Sequence, residues 1–170
     1  MFERVEIDCP ALTEIGERLL ATGEFHSVFF HPSDAAPSYP DFRRGVQAVL
    51  SEVLQSSFLS DVVPGLFPLN FTAATRFATL NRYELEGSLV SRLLQGTCTE
   101  SVVSDEREAR AVVRAILEKA LLQPNGSLSG FRLDDSSWSA LSDRATLSWS
   151  YLVYESSRKV WWFVCFADFY

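Results

Sequence analysis

Two histidines, three cysteines and a few clustered carboxylates are the side chains of this 170-residue chain best suited to chemistry. His26 and His31 lie five apart in the run FHSVFFH, which reads as a short strand. Successive side chains on a strand point to opposite faces, so an odd offset separates the two imidazoles and argues against a shared metal ion. A metal site would need Asp34 or Asp41 brought in from the following loop. Cys98 with His31 is the pair a nucleophilic mechanism would use, although any chain holding both residue types allows it. Glu84 and Glu86 flank Leu85, and Asp134 adjoins Asp135; paired carboxylates do acid–base work when their environments push their pKa values apart. As near neighbours in a helix or turn, these read instead as solvated. Arg107, Arg110 and Arg114 share one helical face beside acids, which is the pattern of an ion-paired surface. No HExxH, GxSxG or Walker-type glycine loop occurs. The expectation is therefore no catalytic residue, no metal and no cofactor.

Charge is more suggestive. The chain carries a formal charge of −7, and residues 1–24 hold six of its acids against two arginines. Glu3, Glu6, Asp8, Glu14, Glu17 and Glu24 are those acids. A negative patch steers a basic partner, raising the on-rate more than the affinity. The same balance disfavours nucleic acid, whose phosphates need clustered Lys and Arg.

The elements that must position these residues are legible in part. Asp8 caps a first helix with the apolar stripe Leu12, Ile15, Leu19 and Leu20, ended by Gly23. A strand over Phe25–His31 follows, then a loop with three prolines. Asp41 caps a second helix carrying Phe42, Val46, Val49, Leu50, Val53 and Leu54. Residues 58–72 read as a buried loop or a bent edge strand, broken by Pro64, Gly65 and Pro68. Thr75–Leu80 reads as a strand, and a third helix follows Asn81, the rival being a strand through Arg82–Leu85. Asp105 with Glu108 has the spacing of a capping box, opening a fourth helix whose stripe runs unbroken from Ala109 to Leu121. A short strand over Leu128–Leu133 precedes the turn Asp134–Ser137.

The strongest pattern is the last. Residues 145–170 hold two aromatic-rich runs about Ser156-Ser157-Arg158-Lys159, read as a β-hairpin. The first alternates Leu147, Trp149, Tyr151 and Val153 with polar residues, as a half-buried strand does. The second is apolar on both faces and belongs at the centre of a sheet or is covered on both sides. The fold class is α+β: about four helices packed on a small antiparallel sheet, with this hairpin as its core, in a single domain spanning 1–170.

Hydrophobic residues at 47% and charged residues at 22% describe a globular chain. The three cysteines, Cys9, Cys98 and Cys165, are unpaired by spacing, which fits a reducing cytoplasm. No basic region followed by an apolar stretch opens the chain, and no run is long enough to span a membrane.

These features are shared in composition with toxin-neutralising immunity proteins and secretion or assembly chaperones. The expected function is a non-enzymatic protein-binding module that meets another, basic protein through Glu3, Glu6, Glu14, Glu17 and Glu24 and through the outward rings of Trp161 and Phe163. Those same rings leave a homo-oligomer open. The alternative is a small-molecule-binding or hydrolytic domain whose pocket is lined by Trp149, Tyr151, Trp162 and Phe166, with His26 or His31 at its mouth.

Overall fold

The computed structural model describes residues 2–33, 39–66 and 69–170, so Asp34 lies outside the described residues. Six strands form one antiparallel sheet: β1 (Phe2–Val5), β2 (Glu24–Pro32), β3 (Phe77–Leu80), β4 (Leu128–Leu133), β5 (Leu147–Glu155) and β6 (Val160–Asp168). Their spatial order is β1-β2-β6-β5-β4-β3. Among the described residues six helices accompany them: α1 (Pro10–Leu20), α2 (Val46–Leu54), α3 (Ser57–Val62), α4 (Arg82–Gln95), α5 (Glu106–Arg114) and α6 (Ala140–Arg144). The mixed helix–strand class and the antiparallel sheet agree with the sequence pattern. The sheet is larger than expected, and there are two more helices.

The two terminal runs pair in register from Leu147↔Asp168 to Glu155↔Val160. They are not a peripheral hairpin: β6 also pairs with β2 and lies at the middle of the sheet. Side chains alternate across β6. Trp162, Val164 and Phe166 join α1, α4 and α5 in one core, while Trp161, Phe163 and Cys165 join α2, α3 and α6 in a second. Helices thus cover both faces. That second layer corrects the half-buried reading of β5, where Ser150 is 1% exposed and Leu152 is fully buried. Burying each such large apolar side chain stabilises the fold by roughly 1.5–3 kcal/mol.

Local chemistry sets the remaining boundaries. Residues 58–72 are neither loop nor strand at their start: the Ser56 hydroxyl accepts from the Leu59 amide at 3.4 Å and opens α3, and a 3₁₀ turn follows over Pro64–Leu66. Residues 67 and 68 lie outside the described residues. The cap of α1 is Cys9 rather than Asp8, and no side chain caps it. Asp41 caps a 3₁₀ turn, Phe42–Arg44, and α2 begins only after Gly45 at φ +94. Asn81 and Glu84 form a complete capping box on α4, which excludes the rival strand there. In α5, Asp105 accepts from the Glu108 amide, but the Glu108 carboxylate turns to Ser104 and Arg18. The expected fourth helix is also not uniform. Beyond Arg114 it widens into a π-helical segment, Ala115–Leu121, closed by the Leu122 amide donating to the Leu117 carbonyl at 2.8 Å.

The β5–β6 turn is locked to that segment. The buried Glu155 carboxylate accepts from the Ser157 amide and hydroxyl at 2.8 and 2.6 Å and from the Arg158 amide at 3.0 Å. Arg158 in turn donates to the Leu121 and Ala120 carbonyls at 2.7 and 3.2 Å, satisfying carbonyls at the end of the π segment. Burial alone would raise the Glu155 carboxyl, but the hydrogen bonds from Ser157 and Arg158 outweigh it and hold its pKa low.

Candidate functional site

The front of the chain builds an open groove. After β1 the chain crosses to α1, which lies on β2 and reaches the α5 helix. Gly16 lets it lie close: a Cβ there would stand 2.9 Å from the Phe25 ring. Because α1 covers β2 rather than the sheet edge, a groove of about 370 Å³ stays open between the outer flank of α1 and β1. Its apolar lining includes Val5, Ile7, Leu12 and Phe25, and Leu20 at its margin is 56% exposed. An exposed leucine beside half-buried apolar side chains is the kind of surface that marks an interaction site.

Two acids line this groove, Glu17 on α1 and Glu6 after β1, and Glu3 stands nearby on β1 directly across from His31. All three are exposed. Glu6 lies 2.9 Å from Arg4, whereas Glu3 and Glu17 make no ion pair among the described residues. With Arg4 also in its lining, the groove carries one net negative charge from Glu6 and Glu17, over an apolar floor.

The rest of the expected acidic patch is dispersed. Glu14 is on the flank of α1 that faces α5, where it pairs with Arg18 at 2.5 Å. Glu24 is 3.5 Å from His26, a residue that shares its side of the sheet with Val28 and Phe30 and the second core. Trp161 and Phe163, expected on the outer surface, are fully buried. The α2–α3 layer covers them, and Trp161 packs on Tyr154 at 4.9 Å between ring centroids.

The pocket of the alternative reading is filled. Trp149, Tyr151, Trp162 and Phe166 are all at most 5% exposed and belong to the core beneath α1, α4 and α5. The cavity beside Trp149 and Trp162 measures about 20 Å³ and is apolar, room for about one water. Tyr151 spends its hydroxyl on Ser88 at 2.8 Å, and Trp162 donates to Ser27 at 2.9 Å. The two histidines stay apart on opposite sides of β2: His31 Nδ1 is 2.9 Å from its neighbour Pro32 O, and His26 is in register with Cys165.

The other pairings considered from sequence also separate. Cys98 donates its amide to Asp168 at 2.8 Å, at the β6 end that pairs with Glu24 and Leu147. His31 is seven residues further along β2, roughly 23 Å away at the rise of a strand. Glu84 is the α4 cap partner, while Glu86 pairs with Arg114 at 2.9 Å. Asp134 pairs with Arg132 at 2.6 Å, and Asp135 accepts from Ser137. Among the described residues no group of three or more His, Cys, Asp or Glu is placed to hold a metal ion, and no helix is long and apolar enough to cross a membrane.

What sequence reasoning missed is β1. Four residues, FERV, are too few to show a period, and only pairing with Phe29–Pro32 makes them a strand. No protein-family model matches the sequence, and no curated protein matches it significantly.

Proposed function

We propose that this protein is a non-enzymatic protein-binding module that takes a basic, partly apolar segment of another protein into the groove between β1 and α1. The observation that carries this reading is the combination at one place of Glu6 and Glu17 with the apolar lining of Val5, Ile7 and Phe25 and the exposed Leu20, with Glu3 nearby on β1. Carboxylates around such a groove favour cationic side chains, and its floor accepts the aliphatic parts of lysine and arginine or neighbouring apolar residues. A neutralising partner of a basic toxin and a chaperone for a basic client are both forms that this function takes.

The test uses a fluorescently labelled lysine–valine peptide of repeating Lys-Thr-Val-Thr, with binding followed by anisotropy. Glu3→Gln, Glu6→Gln and Glu17→Gln each weaken binding by roughly 1.5- to 5-fold, the range of an exposed ion pair. Glu14→Gln and Glu24→Gln, which remove equal charge elsewhere, leave it unchanged. Raising the salt weakens binding by screening. Equal effects from all five substitutions, or indifference to salt, overturn the reading.

A further inference from the structure

We infer that the segment held by this groove binds as an added β-strand on the outer edge of β1, in a sequence that places a lysine or arginine and an apolar residue two positions apart. The inference rests on the groove reading above and specifies the form its occupant takes.

The sheet ends at β1. Among the described residues no strand pairs with its outer side, so that side carries backbone donors and acceptors with no strand to meet them. An incoming strand satisfies them while its side chains alternate between the two faces of the sheet. Glu3 and Val5 are in register with His31 and Phe29 and so share the α1 side, the side of the groove. A neighbouring strand therefore meets a carboxylate and, two residues on, an aliphatic side chain. Opposite charges and apolar pairs across strands are each favourable, which selects a cation across from Glu3 and an apolar residue across from Val5. On the other face Phe2, stacked edge-on to Phe30 at 5.3 Å, offers a second apolar contact.

The opposite edge of the sheet does not present this pattern. β3 reads FATL, with no acid in it, and is bracketed by Arg76 and Arg82. Arg82 is already paired with Glu118 at 2.6 Å, so that edge offers a cationic strand no free carboxylate, whereas Glu3 on β1 makes no ion pair among the described residues.

Two N-methylated versions of the lysine–valine peptide test this, one methylated at odd residues and one at even residues. Only one set of amides in an edge-docked strand points at β1, so one version loses affinity by about 10- to 100-fold and the other keeps it. In parallel, hydrogen exchange of amides within Phe2–Val5 slows on addition of the unmethylated peptide, and that of Phe77–Leu80 does not. Salt-sensitive binding in which both methylated versions bind alike and β1 amides are unchanged keeps the groove but overturns strand addition; a helical occupant gives this result. Protection at Phe77–Leu80 overturns the choice of edge. Protection of β1 in a dimer of the protein alone assigns the edge to a second copy and overturns the inference. No binding at all overturns both readings.

Discussion

The Arg18 guanidinium joins α1 to α5, standing 2.7 Å from the Glu108 carboxylate while donating to the Val102 carbonyl at 2.9 Å. The same carboxylate accepts from the Ser104 amide and hydroxyl at 2.6 and 2.7 Å. This cluster fixes the inner flank of α1 and so sets where the outer flank, with Glu17 and Leu20, meets the groove.

Acid should weaken the stability this tie contributes. Hydrogen bonds from Ser104 and then Arg18 hold the Glu108 carboxyl down to about 2, against an ordinary value of 4.5. A depressed carboxyl stabilises the fold fully above its unfolded value, and that contribution is lost as pH falls through the folded one. Thermal melts of the protein should therefore drop in Tm between pH 4.5 and 2. Glu108→Gln should flatten that drop, and its deficit at neutral pH should close as pH approaches 2.

Trp161 and Leu20 should behave oppositely. Trp161→Ala empties a fully buried site and is expected to cost about 3–5 kcal/mol in urea unfolding. Leu20→Ala, at an exposed site, should stay within about 0.5 kcal/mol of the parent while weakening the lysine–valine peptide. A stable Trp161→Ala protein would show that the second core is not what holds the sheet.

Removing the Glu155 carboxylate should release the β5–β6 turn. Glu155→Ala strips the acceptor from the Ser157 and Arg158 amides and is expected to cost about 1–3 kcal/mol. Hydrogen exchange should speed at those two amides before it speeds in the middle of β6. Gly126→Ala should act at the same place, because an added Cβ would collide with that carboxylate.

Cys98 should be the thiol that reacts in the folded protein, but sluggishly. Cys9 and Cys165 are buried, and Cys98 is exposed. Partial desolvation and the nearby Asp168 carboxylate raise its pKa above the ordinary thiol value. Iodoacetamide alkylation of the native protein should thus show a pH profile displaced upward from that of free cysteine, and Asp168→Asn should move it back. The other two thiols should label only after denaturation.

The central strand was readable because its chemistry is unambiguous: a run apolar on both faces has to be covered on both sides, and β6 is. Helices with strong periodicity and side-chain caps, such as α4 after Asn81, were equally clear. Short elements were not. β1 takes its identity from cross-strand pairing, and α6 is a five-residue helix opened by the Ser139 hydroxyl. The π-helical widening after Arg114 leaves the apolar stripe intact and so leaves no mark on the sequence pattern. The site suffered from the same limit. Linear clustering put five glutamates together, but the sheet face and the helix flank on which each one stands are tertiary facts. Trp161 and Phe163 looked outward only because the covering layer, built around α2 and α3, could not be seen to fold back over them.

The arrangement of the sheet has a bearing on how the chain comes to be folded. β1–β2 and β3–β4–β5 are two separate ribbons, and β6, later in sequence than all of them, is the seam between them. During synthesis both ribbons must wait with a bare inner rim until that seam is laid. Such non-local closure is slow, and waiting rims invite pairing with other chains. Damage to β6 should therefore be felt first as poor yield of correctly assembled protein, before any loss of partner recognition could be measured.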